Sequence, residues 1–203
     1  MSAQTALWCA CGVLLALFAA LGIRVARRPF GAIDAFGARM RGRHLRLAVL
    51  FTRSGRSPGV TVMCAVAVIV YALAHLPMRF PAIVILSQII SQTVVELIKS
   101  RYRRIRPEYW LDRLEAGHSY PSGHATTAVV FFCAWAVIAA AGALPLAAKI
   151  PVCAALVAWA SGVSWSRLAL GAHYLSDVIG GTFFGLAWLC ALVAGLPASV
   201  HAP

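Results

Sequence analysis

Long apolar runs separated by basic links constrain this chain more than any other feature of its sequence. Six runs of about 20 residues carry almost no charge: 1–23, 57–78, 80–100, 121–142, 147–164 and 173–196. A helix of about 20 apolar residues crosses the hydrocarbon core of a bilayer, and within lipid the backbone must satisfy its own hydrogen bonds. The pattern predicts an all-α, polytopic membrane protein, a six-transmembrane-helix bundle forming one domain over residues 1–203.

The composition excludes an ordinary soluble domain. Of 203 residues, 61% are hydrophobic and 12% are charged, which is about half the charged fraction of soluble domains. A net charge of +12 would suggest nucleic acid in a soluble domain, but most bases here lie between apolar runs. We therefore expect membrane lipids and a phosphorylated lipid as partners, and no nucleic acid. The six cysteines lack a Cys-x-x-Cys spacing, so no metal site is predicted.

The basic residues are unevenly distributed among the links. The first link, 24–56, holds nine arginines and one acid, and the third, 99–120, holds Lys99 and five arginines. With Arg167 in the fifth link, the odd links contain 16 of the 18 bases. Cytoplasmic loops are enriched in Lys and Arg, so the charge pattern favours a cytoplasmic position for these links.

Residues 29–52 combine apolar side chains with arginines. The apolar members are Phe30, Ile33, Phe36, Met40, Leu45, Leu47 and Leu50, and the arginines are Arg39, Arg41, Arg43 and Arg46. This composition resembles an amphipathic helix lying in the membrane interface with its arginines among the headgroups. A plain basic loop is the alternative.

Polar residues gather at three places beside the runs, and in membranes such residues are costly unless they serve a function. The first place is the end of the third run, where Lys99 precedes Arg106 by seven residues and Pro107 follows. Arginine offers a planar set of donors suited to phosphate oxygens, and lysine offers a point charge. Taken alone, this cluster also fits a positive-inside signal.

The second place is Tyr-Pro-Ser-Gly-His-Ala-Thr-Thr at 120–127, directly before an apolar run. Ser122 is a good N-cap, Gly123 permits close backbone approach, and first-turn N–H groups bind anions. His124 would lie in this first turn and can carry a proton near neutral pH. The alternative is a capped helix start with an interfacial histidine.

The third place contains Arg167, His173 and Asp177. His173 and Asp177 are four residues apart, so on a helix they would share one face. A carboxylate bonded to one imidazole nitrogen fixes the tautomer and strengthens the other nitrogen as a nucleophile. Arg167 would add a second phosphate-binding cation. A buried structural pair of histidine and aspartate is the alternative.

The parity of the runs puts all three clusters on the same side of the membrane. Together they offer several cations, an anion-binding helix start and two histidines. This set suits phosphoryl transfer, in which cations stabilise the phosphate charge, one histidine attacks phosphorus and the other protonates the leaving oxygen. These residues alone leave open which histidine attacks, and the sequence contains no carboxylate cluster suited to Mg²⁺.

In chain order, the clusters resemble the three signature motifs of the type 2 phosphatidic acid phosphatase superfamily, which also includes the vanadium haloperoxidases. The matched residues are Lys99, Arg106 and Pro107, then Pro121, Ser122, Gly123 and His124, and then Ser166, Arg167, His173 and Asp177. The resemblance covers 60–196. Asp34 and the stretch 51–55 resemble, more weakly, the family's connection after its first span.

The resemblance implies a six-helix lipid phosphatase with its core at 60–196 and no cofactor or added metal. His173 would form a phosphohistidine intermediate and be oriented by Asp177, while His124 would protonate the leaving group and then activate water. The residues that would hold the phosphate are Lys99, Arg106, Ser122, Gly123 and Arg167.

Several alternatives remain open at this stage. The resemblance implies a multi-pass protein of the bacterial inner membrane with its site on the outer face, whereas the arginines favour the cytoplasmic face. A polyprenyl diphosphate such as undecaprenyl diphosphate is the favoured substrate. The alternatives are phosphatidic acid, phosphatidylglycerophosphate or lipid A. The other classes are a vanadate-dependent oxidase, disfavoured because those relatives are soluble, and a non-catalytic phospholipid-binding or transport protein.

Overall fold

The computed structural model describes residues 1–28, 30–107 and 117–196, and within these ranges the regular structure is entirely helical. The helices are α1 (Ala3–Arg27), α2 (Ala32–Ala38), α3 (Leu45–Ser54), α4 (Ser57–Leu73), α5 (Arg79–Tyr102), α6 (Gly123–Ala128), α7 (Ala134–Ala141), α8 (Leu146–Ala169) and α9 (Leu175–Gly195). A π-helical turn, Val129–Cys133, joins α6 to α7.

Most of the predicted spans are present. Within the described ranges, five stretches are long and apolar enough to cross a membrane, namely α1, α5, α6 with α7, α8 and α9. The second predicted run, 57–78, is shorter than expected because α4 ends at Leu73. His75 takes a left-handed conformation with φ 53°, and Pro77 cannot continue a helix. Helices α3 and α4 meet at 58°, and the pair is apolar enough for a broken sixth span or a re-entrant loop. The prediction of a polytopic helical bundle is confirmed.

Helix α9 lies at the centre of the packing. It packs along α1 and against α6, and Phe18 of α1 stacks on Tyr120 with ring centroids 5.7 Å apart. Gly181 of α9 lies so close to the carbonyl oxygen of Ser122 that an added Cβ would clash with it. The loop that begins α6 is thereby held firmly against α9.

The segment 29–52 differs from its prediction as one helix. It forms α2 and α3, separated by a turn in which Gly42 has φ 78° and His44 has φ 49°. Helix α2 packs tightly on α9, since a Cβ at Gly37 would lie 2.6 Å from Leu175 Cβ. The backbone N–H of Gly42 donates to the Ala169 carbonyl at 2.8 Å. These long-range contacts interrupt the helix, and composition alone does not reveal them.

The outer surface of this segment combines apolar and basic side chains. The exposed apolar side chains include Phe30, Phe36, Leu45, Leu47 and Leu50, and Arg39, Arg43 and Arg46 are exposed beside them. Its position in the membrane interface stays a prediction. Residue 29 of this segment, residues 108–116 of the predicted core and residues 197–203 of the predicted domain lie outside the described residues.

Candidate active site

The first cluster is positioned by the end of α5. Arg103 adopts a left-handed conformation, with φ 49°, and its backbone N–H donates to the Lys99 carbonyl at 2.9 Å. This turn ends the helix at Tyr102 and leaves Lys99 on its last turn. The ammonium of Lys99 forms a salt bridge of 2.7 Å with Glu96.

The second cluster begins α6 as predicted. Ser122 is the N-cap, and its Oγ accepts from the N–H of Ala125 at 3.4 Å. A Cβ at Gly123 would lie 3.3 Å from Lys99 Nζ and 3.3 Å from Gln92 Oε1. The lysine ammonium therefore lies directly beside the backbone at the start of α6. The absence of a side chain at Gly123 makes this approach possible.

The third cluster is arranged differently from its prediction. Helix α8 ends at Ala169 and α9 begins at Leu175, so His173 lies in the turn between them and does not share a helix face with Asp177. The two side chains still meet, with His173 Nδ1 3.4 Å from Asp177 Oδ2. Asp177 lies in the first turn of α9, where its Oδ2 also accepts the N–H of Tyr174 at 2.9 Å.

Arg106 connects the first cluster to the third. Its Nη1 lies 3.0 Å from His173 Nε2 and donates to the Ala172 carbonyl at 3.1 Å. Its Nε donates to the Gly117 carbonyl at 3.1 Å. A phosphate at this point would meet the guanidinium and the imidazole together.

A cavity of about 860 Å³ opens between α4, α5 and the start of α6. Four predicted site residues line its polar end, namely Lys99, Arg106, Gly123 and His124. The other four lie buried around it, each at most 4% exposed: Ser122, Arg167, His173 and Asp177. The structure thus brings all eight predicted residues to one region of the bundle.

His124 lies on the wall of the cavity, across the start of α4. An added Cβ at Gly55 would lie 3.1 Å from His124 Cδ2, so the two residues are in close contact. The cations that act on the His124 ring electrostatically are Arg167, Arg56 and Lys99. The second histidine is therefore surrounded by cations suited to an anionic ligand.

Comparison with known proteins identifies the family of this chain. The family model of the PAP2 superfamily matches residues 80–200, a range that contains all three clusters. The chain belongs to the PAP2 superfamily. A crystal structure titled as the first transmembrane PAP2 type phosphatidylglycerolphosphate phosphatase, from Bacillus subtilis, is similar with a TM-score of 0.76 and 20% identity. That likeness covers 90% of this chain and 94% of the other, and it shows that the fold is shared.

Sequence relatives cover less of this PAP2 protein. The lipid A 1-phosphatase of Rhizobium johnstonii is 35% identical over 116 residues, which are 52% of this chain and 43% of that protein. Phosphatidylglycerophosphatase B of Escherichia coli K12 is 35% identical over 80 residues, which are 39% of this chain and 29% of that protein. The chain spans less than half the length of these relatives.

Behind the cavity of this PAP2 protein lies a buried ionic network that the sequence analysis missed. Arg104 is 5% exposed, and its Nη1 donates to Asp177 Oδ1 at 2.5 Å while its Nη2 donates to Asp34 Oδ2 at 2.9 Å. Asp34 Oδ1 accepts from the backbone N–H and the hydroxyl of Ser176 at 2.9 and 2.6 Å. Ser119 donates a short hydrogen bond to Asp177 Oδ2. The carboxylate beside His173 is therefore held on both oxygens.

The signals for this network were weak in the sequence. Arg104 is one of five arginines in its link and resembles its neighbours. Asp34 is the single acid of the first link and carries only a loose resemblance to the family. Thr52, in the weakly matching stretch 51–55, accepts a short hydrogen bond from the buried Arg167.

The imidazole of His173 is kept neutral by its surroundings. Burial lowers the pKa of His173 to about 3, and this effect exceeds the opposing effect of the hydrogen bond and negative charge of Asp177. Arg106 and Arg167 add to the lowering. Only a neutral imidazole has a lone pair available for attack, so this environment suits a nucleophile near neutral pH.

Proposed function

We propose that this protein hydrolyses a phosphate ester or diphosphate of a membrane lipid through a phosphohistidine intermediate. The observation that carries the proposal is the 3.0 Å contact between Arg106 Nη1 and His173 Nε2. Arg106 also lines the cavity that contains Lys99 and His124. Membership of the PAP2 superfamily and the names of the two relatives, both lipid phosphatases, support the same reaction class.

In the first step, Nε2 of His173 attacks phosphorus and forms an N–P bond. The bond from phosphorus to the leaving oxygen breaks, and His124 gives its proton to that oxygen. Asp177 orients the imidazole through Nδ1 and stabilises the charge that develops on the ring. The charge on the phosphoryl oxygens is stabilised by Lys99, Arg106 and Arg167, together with the N–H of Gly123 and the Ser122 cap.

In the second step, His124 takes a proton from water, and the water oxygen attacks phosphorus. The N–P bond breaks, phosphate leaves, and the neutral imidazole of His173 is restored. Cations supplied by side chains carry out the charge stabilisation in both steps, so the proposed reaction requires no added metal.

The candidate substrates share a phosphate joined to a lipid. They are a polyprenyl diphosphate such as undecaprenyl diphosphate, phosphatidic acid, phosphatidylglycerophosphate and a lipid A phosphate. The cavity fits this class because its polar end continues into an apolar part lined by Val60, Cys64 and Ile85. A lipid could thus keep its tail among apolar side chains while its phosphate meets the cations.

The test is phosphate release by the full chain, purified in detergent, from each candidate lipid in EDTA. We expect turnover by the wild-type protein and a fall of roughly 10⁴-fold or more for His173→Ala. The control is His75→Asn, because His75 is exposed in the α4–α5 turn and Asn tolerates its left-handed backbone. Undiminished turnover in His173→Ala would overturn the nucleophile assignment. Lipid binding without phosphate release in the wild type would identify a binding protein.

A further inference from the structure

Two glutamines lie on the cavity face of α5, where the proposed reaction does not use them. Gln88 and Gln92 both line the cavity, eleven and seven residues before Lys99. They belong to a helix that is long and apolar enough to span the membrane. Polar side chains at such positions are costly and by default indicate a function.

Gln88 is fixed at one end of its amide and unpaired at the other. Its Nε2 donates to Thr127 Oγ1 at 3.0 Å, across the boundary between α5 and α6. Gln88 is 7% exposed and Thr127 is 4% exposed. The Oε1 atom of Gln88 has no hydrogen-bond partner among the described residues. A buried polar atom without a partner is expensive in a low-dielectric interior, so its retention beside a cavity points to a ligand.

The depth of this amide below the phosphate-binding end follows from helix geometry. Gln92 Oε1 and Lys99 Nζ lie equally close to the Cβ position of residue 123, at 3.3 Å each. Gln88 lies four residues before Gln92, and Thr127 lies four residues after Gly123. Each interval is about one helical turn, or roughly 5.4 Å. The pair of Gln88 and Thr127 is therefore about one turn further from the cations than Gly123.

We propose that Gln88, oriented by Thr127, is a specificity-determining residue that hydrogen-bonds the linkage between the phosphate-bearing group and the acyl chains of the lipid. This inference rests on the proposed phosphatase function of the same site. In phosphatidic acid, five bonds separate phosphorus from the nearest ester carbonyl carbon, a separation that matches one helical turn.

The chemistry of the amide decides which lipids it recognises. In the observed orientation the unpaired Oε1 can accept from an amide N–H or a hydroxyl. The terminal torsion of the side chain is broad, so the amide can also turn, with Oε1 accepting from the Thr127 hydroxyl and Nε2 donating to an ester carbonyl. A polyprenyl chain has only carbon and hydrogen at this depth and leaves the amide unpaired. Leaving a buried polar group unpaired is an effective way to reject a ligand. The subsite therefore favours acyl-linked lipid phosphates over polyprenyl phosphates.

The test compares two monophosphates, dioleoyl phosphatidic acid and farnesyl phosphate, in one detergent with the full chain. We expect Gln88→Met to lower kcat/KM for phosphatidic acid about tenfold, with farnesyl phosphate changed less than about twofold. The matched control is Gln4→Met, since Gln4 lies on α1 and its Nε2 donates to the Ala194 carbonyl of α9, away from the cavity. Thr127→Val should reduce the preference in the same direction, and Thr127→Ser should retain it.

The possible outcomes separate this inference from the proposed function. Equal losses on both lipids in Gln88→Met would show a structural role and overturn the subsite, as would unchanged kinetics on both. In either case, phosphate release by the wild-type protein would leave the phosphatase proposal intact. Failure of the wild type to release phosphate from every lipid phosphate tested would overturn the proposed function and the subsite together.

Discussion

The two sides of His173 use charge in opposite ways. Behind it, Arg104, Asp34 and Asp177 are each at most 5% exposed and form ion pairs of 2.5 and 2.9 Å. In front of it, Lys99 and Arg106 line a cavity open to a ligand. Buried charges must be paired because desolvation is costly, whereas cations around a cavity stabilise an incoming anion. The rear network therefore holds the geometry, and the front cations are the ones available to phosphate in the proposed reaction.

The largest expected effect comes from breaking the rear network. Asp34→Asn puts an amide in place of the carboxylate that pairs with Arg104. Loss of one partner of a buried ion pair lowers the free energy of unfolding by roughly 3 kcal/mol. Because Arg104 also holds Asp177, we expect kcat to fall while KM changes little. Unfolding in detergent and steady-state kinetics measure the two effects.

The matched control is Glu96→Gln on the front side. Glu96 pairs with Lys99 but its side chain is 66% exposed, and an exposed pair contributes less than about 1 kcal/mol. Equal destabilisation by both substitutions would contradict the distinction between the two regions. A change confined to KM in Asp34→Asn would assign Asp34 to substrate binding instead of positioning.

For a change of one pH unit, the expected effect of pH on stability is smaller than that of Asp34→Asn. Folded His173 has a pKa of about 3, whereas unfolded histidine titrates near 6.5, so the unfolded chain binds more protons between these values. The contribution to stability is complete above pH 6.5 and is lost as the pH falls towards 3, with a slope of at most about 1.4 kcal/mol per pH unit. The free energy of unfolding against pH, compared with that of His173→Gln, isolates this contribution. Identical slopes in both proteins would show that His173 is hydrated.

The smallest effect is expected from the surface arginines of the first link. Arg39, Arg43 and Arg46 are exposed, and their replacement by Gln should raise KM in micelles containing anionic lipid by roughly two- to fivefold at low salt. Screening should remove the difference at high salt. Arg79→Gln, at the opposite end of the bundle, is the control. An effect of equal size in the control, or one insensitive to salt, would argue against an interfacial role for residues 29–52.

Much of the arrangement on the cavity side of His173 could be predicted from sequence patterns. The spans follow from runs of apolar residues, because a bilayer imposes a length on every helix. Ser122 was identified as an N-cap because capping depends on residues within one turn. The parity of the spans predicted that Lys99 and Gly123 lie on the same side of the membrane, because every second link falls on that side.

The rear side required the tertiary structure. The partners of Arg104 lie 70 and 73 positions away in the chain, and no local pattern distinguishes this arginine from its neighbours. No local pattern predicts the break of the segment 29–52 into α2 and α3 either, because contacts with α9 and α8 impose it. His173 was expected on α9 but lies in the turn before it, because Gly171, with φ 67°, reverses the chain there.

By itself, the sequence determined that this chain is a helical membrane protein, and it predicted three clusters for phosphate binding, because hydrophobic length, capping and motif spacing are local properties. Only the tertiary structure decided which carboxylate holds which cation, which amide faces the cavity and how the imidazole of His173 reaches Arg106. Those pairings join residues that are distant in the chain, and their energies depend on burial, which is a property of the packed bundle.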